Sequence, residues 1–209
     1  IKLMSYFPFF IDIQDKNCII AGGGIVSLRK VELLLKFGCK ITVVSPEFCP
    51  EFDNFKNITK IQRKFQPSDI DTAFFVVAAT NDTSVNSEIS KLCHEKNIPV
   101  NVVDVKEECS FIFPSVYKNH EIVAGISTGG QSPFLAAKIR KNLENSIPEY
   151  YGSMAERLGS VRSFVKQNIP SEEKRKHALK VILDRLVETE NSITDNEIEN
   201  IIRGIYENN

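Results

Sequence analysis

Two features of this chain carry residue types that can do chemistry. The first is a carboxylate, Asp104, which closes the run Pro99-Val100-Asn101-Val102-Val103-Asp104. A carboxylate at the carboxyl end of an apolar strand can take a proton from a bound substrate. The plainer alternatives are that Asp104 caps a loop or holds a ribose. The second is the glycine cluster in Asn17-Cys18-Ile19-Ile20-Ala21-Gly22-Gly23-Gly24-Ile25-Val26-Ser27. Glycines let the backbone turn sharply and approach a ligand with no Cβ in the way. Gly22-x-Gly24-x-x-Ser27 has the spacing of a dinucleotide fingerprint, with serine in place of the third glycine. A helix starting there would offer its N–H groups and positive dipole end to a pyrophosphate. Other chemistry is poorly represented. His94, His120 and His177 lie at no ligand spacing from one another or from a cysteine, so no metal ligands are assigned. No nucleophilic serine or cysteine is assigned.

Positioning these groups needs a sheet. Cys18–Ala21 is a continuous apolar run, suited to a central parallel strand buried on both faces. Leu28, Val31, Leu34 and Leu35 then recur at helical spacing up to Gly38. Further strands are predicted at Lys40–Ser45, Lys60–Phe65, Phe74–Thr80 and Pro99–Asp104. Asp82 or Ser84 caps the helix that carries Val85, Ile89 and Leu92. Tyr6–Ile13 is expected as an extra strand or extended arm. Alternating strands and helices predict a parallel sheet with helices on both faces. Ligands bind outside the carboxyl ends of such strands, so Gly22, Gly23 and Gly24, Thr80, Asn81, Asp82 and Asp104 are expected to converge. Sites of this type usually hold the ribose with an acid at the end of the second strand. Here that place is Val44-Ser45, followed by Pro46-Glu47, and no arginine lies between Val43 and Glu51. This favours NAD over NADP, with Glu47 or backbone groups left for the ribose.

Beyond Asp104 the pattern changes. Phe111–Tyr117 and Glu121–Ser127 read as two strands around a Lys118-Asn119-His120 turn. A polar loop, Ser127–Gln131, leads to Ser132-Pro133 as N-cap and first helical residue. The rest is helical: to about Leu143, then a helix with Leu158, Val161 and Val165, then Ser171–Val187, and a last one boxed by Thr194 and Glu197. Basic residues outnumber acidic ones between Lys138 and Arg185, which suits an anionic ligand and equally an ordinary solvated surface.

Bulk properties set the frame. The 209 residues carry a net charge of −1, with 42% hydrophobic and 25% charged residues, ordinary for a water-soluble protein and without a general pull towards nucleic acid. The five cysteines form no Cys-x-x-Cys pair and read as reduced thiols of the cytoplasm. Ala73–Ala79, the longest apolar run, is strand-sized, so no membrane span is expected. No signal peptide is read at the N-terminus, and Ile1-Lys2-Leu3 before Met4 suggests an alternative start.

Taken in order, FPFFIDIQDKNCIIAGGGIVSLRK, AATND, NVVD, SFIFPS and STGGQSP resemble the precorrin-2 dehydrogenase family, the dehydrogenase/ferrochelatase module of siroheme synthases. The resemblance is specific from Tyr6 to about Glu144 and positional in the helical tail. It implies an α/β fold: an N-terminal Rossmann-type parallel sheet (1–113), a small α+β dimerisation segment (114–147) and a C-terminal helical domain for the tetrapyrrole (148–209). It implies a homodimer that oxidises precorrin-2 to sirohydrochlorin with NAD, and in some members inserts Fe²⁺ as well. Asp104 matches the catalytic aspartate. Ile25, Val26, Pro46 and Glu47 match cofactor contacts, beside Gly22, Gly23, Gly24, Ser45, Thr80 and Asn81. The loop containing Ser127, Thr128 and Gly129 matches one near the tetrapyrrole cleft. No methyltransferase segment is expected. A chelatase without dehydrogenase activity, or a non-enzymatic NAD-sensing module, are the alternatives.

Overall fold

The strand Asn17–Ala21 (β1) is apolar on both sides because it has a helix over each. Cys18 and Ile20 point to one face and Ile19 and Ala21 to the other, and all four are buried. The computed structural model describes residues 6–207, so the alternative start at Ile1–Met4 lies outside the described residues. The chain divides into two compact units, Phe7–Phe113 being the first.

In that unit β1 is followed by α1 (Ile25–Leu35), β2 (Lys40–Val44), β3 (Thr59–Ile61), β4 (Phe75–Ala78), α2 (Thr83–Glu95) and β5 (Val100–Val102). The five strands are parallel in the order β3-β2-β1-β4-β5. Strand order reverses beside β1, and the crevice at such a reversal is where doubly wound sheets take ligands. One face packs Ile20, Val43 and Val77 against Leu28, Val31 and Leu34 of α1, with Phe52, Phe111 and Phe113 completing the layer. The other packs Ile19, Val76 and Val100 against Ile89 and Cys93 of α2. Ile20, Val77 and Ile89 are fully buried, and each such side chain contributes about 1.5–3 kcal/mol.

The strands are shorter than their apolar runs suggest, for local reasons. β3 ends at Ile61 because Arg63 turns away to pair with Asp69. β4 stops at Ala78, and the Thr80 amide is satisfied by the Asn86 side chain at 3.1 Å instead of a neighbouring strand. β5 gives way at Val103, whose N–H makes a last bond to Ala78 O at 2.9 Å before the chain turns at Asp104. No strand forms over residues 6–13, and Phe7, Phe9 and Phe10 lie exposed in an extended arm. Two 3-10 turns that periodicity does not reveal appear at Pro50–Asn54 and Lys106–Glu108.

The second unit takes up Pro114–Asn209. It opens with an antiparallel hairpin, β6 (Ser115–Asn119) and β7 (Ile122–Ile126), joined by His120-Glu121. The first of these strands starts later than its sequence suggests, since Phe111 and Phe113 belong to the core of the first unit. Then come α3 (Pro133–Ser146), α4 (Tyr151–Asn168), α5 (Glu172–Glu188) and α6 (Asp195–Glu207). Met154, Val161 and Val165 of α4 meet Ala178, Ile182 and Leu186 of α5 and Ile198 and Ile202 of α6. On α3 only Ala136 is buried, while Phe134 is 91% exposed.

Candidate functional site at the sheet edge

Gly22 and Gly23 are placed where nothing larger fits. Gly22 has φ +113° and donates to Val44 O at 2.9 Å, and a Cβ on it would stand 2.3 Å from Ala79 O. A Cβ on Gly23 would stand 2.2 Å from Glu47 O. The glycine turn is thus wedged between the chain leaving β4 and the chain leaving β2. Gly24 is different: its Cβ position meets nothing within 4 Å. It is the N-cap of α1, which has neither a capping side chain nor an acidic residue in its first turn. By contrast α2, α3 and α5 are capped by the side chains of Asp82, Ser132 and Ser171. The first N–H groups of α1 are therefore left for a ligand acceptor, and the dipole there favours an anion. This fits a dinucleotide pyrophosphate. Ile25 and Val26 follow immediately with exposed apolar side chains.

The loop after β2 is stiff. Ser45 is buried and donates through Oγ to Glu47 O at 2.6 Å, and Cys49 N–H donates to Gly23 O at 2.8 Å. Pro46 and Glu47 are exposed above it. Arg63, the arginine just past β3, is held by Asp69 through two bonds, Nη1 to Oδ2 at 2.8 Å and Nη2 to Oδ1 at 2.5 Å. That pairing commits two of the guanidinium's donors to Asp69.

Beyond β4, Thr80 is fixed by a residue that spacing alone does not single out. Asn86, buried on the first turns of α2, accepts from the Thr80 amide at 3.1 Å and from Thr80 Oγ1 at 2.7 Å, and donates to Thr80 O at 3.0 Å. The available signal was an amide four residues after the capping Asp82, inside a helix, where asparagine is otherwise disfavoured. Asp82 is committed to the cap: it accepts from Ser84 N at 2.9 Å, and the Ser84 hydroxyl holds its carboxyl below the usual range. Asn81 is exposed between them.

Asp104 lies two residues past the end of β5, exposed, with φ +62°. This left-handed conformation is uncommon outside glycine, asparagine and aspartate. Near it is Lys30 of α1, half-buried with Nζ 3.9 Å from the centroid of the Phe113 ring. Burial pulls the Lys30 ammonium below the ordinary lysine range, with Cys109 and Asp104 close enough to oppose that shift. Spacing gave no reason to pick Lys30, because it reads as a solvated helix residue.

The structure thus brings Gly22, Gly23 and Gly24, Ile25 and Val26, Ser45–Glu47, Thr80 and Asn81 together at the carboxyl ends of β1, β2 and β4, with Asp104 after neighbouring β5. Ser127, Thr128 and Gly129 belong to the second unit. Their loop is self-bonded: Gly129 N–H donates to Ser127 Oγ, and Thr128 Oγ1 exchanges bonds with the Ser132 backbone, all at 3.0 Å. Among the described residues no group of three or more His, Cys, Asp or Glu side chains is arranged to hold a metal ion. No helix among them is long and apolar enough to cross a membrane.

Comparison with known proteins adds to this geometry. Residues 9–115 match the family model described as "Putative NAD(P)-binding", and residues 125–146 match "Sirohaem biosynthesis protein central". The siroheme synthase of Thioalkalivibrio sulfidiphilus is 42% identical over 184 residues, 87% of this chain and 38% of the relative. That of Ruthia magnifica is 39% identical over 177 residues, 83% of this chain and again 38% of the relative. The chain therefore spans about two fifths of the length of these relatives. Among solved structures, "SirC, precorrin-2 dehydrogenase" superposes with a TM-score of 0.72 at 22% identity, covering 96% of this chain and 98% of the other. At that identity the likeness speaks for the fold.

Proposed function

We propose a function from one premise: the chain belongs to the siroheme synthase family, as its precorrin-2 dehydrogenase/ferrochelatase module. On this reading it oxidises precorrin-2 to sirohydrochlorin with NAD. The observation that carries the proposal is the uncapped start of α1 behind Gly22–Gly24, with the Asp104 carboxylate two residues past β5, on the far side of β4 in the same sheet. Bound NAD would supply the hydride acceptor. Gly22 and Gly23 allow close backbone approach, and the N–H groups that open α1 receive the pyrophosphate. Ile25 and Val26 give the cofactor an apolar floor, while Ser45, Pro46, Glu47, Thr80 and Asn81 line its other sides. NAD is favoured over NADP because Arg63 is occupied by Asp69. As a hydride leaves the tetrapyrrole, Asp104 Oδ accepts the proton released with it.

The substrate is a polycarboxylate, and Ser127, Thr128 and Gly129 with the basic helices of the second unit suit its anionic edge. Residues 114–147 serve as the dimerisation segment, for which exposed Phe134, Leu135 and Ile139 on α3 are the apolar contacts. Residues 148–209 form the tetrapyrrole lobe. Five free thiols accord with the cytoplasm. Fe²⁺ is a second substrate: its insertion expels pyrrole protons, and Asp104 can accept these too.

The test is NADH absorbance on mixing protein, NAD and precorrin-2. Asp104→Ala should lower the rate roughly 10²- to 10⁴-fold while NAD binding stays nearly intact. Full turnover by that variant would remove Asp104 from the role. Tight NAD binding with no tetrapyrrole turnover would point to a sensing module. Iron insertion into sirohydrochlorin without NAD is assayed separately, and a rate no higher than the uncatalysed one would leave a dehydrogenase alone.

A further inference from the structure

We propose that Cys109 is a positioning residue for Asp104, its thiol pinning the ends of the turn that presents the carboxylate. The proposal rests on the assignment of Asp104 as the proton acceptor. The chain leaves β5 at Val102, turns through Val103, Asp104 and Val105, and returns through the 3-10 turn Lys106–Glu108. Cys109 comes next, and its Sγ sits inside the returning loop. It accepts the Val102 N–H at 3.1 Å and lies 3.2 Å from Val102 O and 3.3 Å from Val105 O, with Asn101 Nδ2 at 3.5 Å. One sulfur therefore bridges the backbone on both sides of Asp104.

Several facts make this sulfur hard to replace. Val102 N–H faces away from β4, on the open edge of the sheet, so no strand can receive it. The parallel register uses Val103 N–H for β4 instead. Val105 O faces the same gap. Burial pushes the thiol pKa up, so at neutral pH it carries its proton and can donate while it accepts. The carbon–sulfur bond is longer than the carbon–oxygen bond of serine, so a hydroxyl in this place would reach the same groups less well. Meanwhile Asp104 has φ +62°, a left-handed turn conformation that aspartate adopts more readily than most residues and that fixes where its carboxylate is presented. The neighbours complete the clamp: Ser110 Oγ accepts the Val100 N–H at 2.7 Å, and Glu108 is tied to α2 by Ser87 and Ser90, both at 2.7 Å.

The experiment is a double-mutant cycle in precorrin-2 oxidation with the full chain. Cys109→Ala should lower kcat roughly ten- to hundredfold, the loss expected when a catalytic group drifts by about an ångström, with KM for NAD little changed. Cys109→Ser, which keeps a donor and an acceptor on a shorter reach, should recover part of it. In the Asp104→Ala background, Cys109→Ala should cost nothing further, because it acts through a carboxylate already removed. Hydrogen exchange at the Val102 amide should quicken in Cys109→Ala and less so in Cys109→Ser. A wild-type kcat for Cys109→Ala overturns the proposal, and so does an equal loss with and without Asp104, which would mean general support of the fold. Should Cys109→Ala fail to fold, Cys109→Ser decides, with the same two outcomes against. Full activity of Asp104→Ala sinks the proton-acceptor assignment itself, a result told apart by that single variant.

Discussion

Substitutions at two adjacent glycines, Gly23 and Gly24, should separate stability from cofactor binding. In Gly23→Ala the new methyl would stand 2.2 Å from Glu47 O, 3.0 Å from Phe48 Cδ1 and 3.0 Å from Ser45 Cβ. An ordinary carbon–oxygen contact is about an ångström longer, and the obstructing oxygen is backbone, so the 45–49 loop must move. That loop is tied down by the Ser45–Glu47 bond at 2.6 Å and the Cys49–Gly23 bond at 2.8 Å. Overpacking of this kind costs about 1–3 kcal/mol, and a domain of this unit's size loses about 4–8 °C of melting temperature per kcal/mol. Gly24→Ala meets nothing within 4 Å. Exchanging glycine for alanine at an N-cap should cost only about 0.5 kcal/mol. Its methyl instead enters the space a pyrophosphate would take, so NAD affinity should fall at least about tenfold, or about 1.4 kcal/mol. Calorimetry on the apo protein and NAD titration read the two quantities independently. Wild-type NAD affinity in Gly24→Ala would refute the placement of the pyrophosphate at this turn. An unshifted melting temperature in Gly23→Ala would refute the rigidity of the 45–49 loop.

Other substitutions probe the same edge and the α3 surface. Asn86→Ala removes three bonds to Thr80 and leaves its half-buried amide without that partner, which should cost about 1–2 kcal/mol in urea titrations and weaken NAD binding as well. Lys30→Met replaces a half-buried ammonium over the Phe113 ring. Because the folded pKa lies below the unfolded one, the unfolded chain binds more proton between the two values. The native protein should therefore gain stability relative to Lys30→Met as pH rises from the depressed value to the ordinary lysine range; a flat difference there would contradict the assigned burial. Phe134→Glu, at a position 91% exposed in the single chain, should leave the helical content unchanged and shift sedimentation from dimer to monomer if α3 is the contact.

The sheet was legible because its strands are buried on both faces and separated by helical spacing, as Cys18–Ala21 and Leu28–Leu34 illustrate. The caps at Asp82, Ser132 and Thr194 were legible too, since they use short side chains next to the groups they satisfy. Strand ends were not. Apolarity continues past Ala78 and Val102, while the ladder is stopped by Asn86 and by the turn at Asp104, side-chain and dihedral events with no periodicity. Lys30, Asn86 and Cys109 carry little sequence signal for a common reason: each works through a contact across the fold or around a turn, and each looks ordinary in its own segment. Phe111 and Phe113 misled in the opposite sense, reading as strand residues of the hairpin although they finish the first core.

The clamp on β5 has another consequence, for behaviour at high protein concentration. Terminal strands of an open sheet are templates onto which foreign strands add, the first step towards fibrils. Here one margin is sealed by the chain itself: the outward amides of Val100 and Val102 are taken by Ser110 and Cys109, and Phe111 O is held by Asn101. The opposite margin, β3, is three residues long and carries Lys60. A nucleus for cross-β growth finds little to extend on either side, so the native first unit should withstand crowding, and its aggregation hazard lies in partly unfolded forms that release residues 109–111.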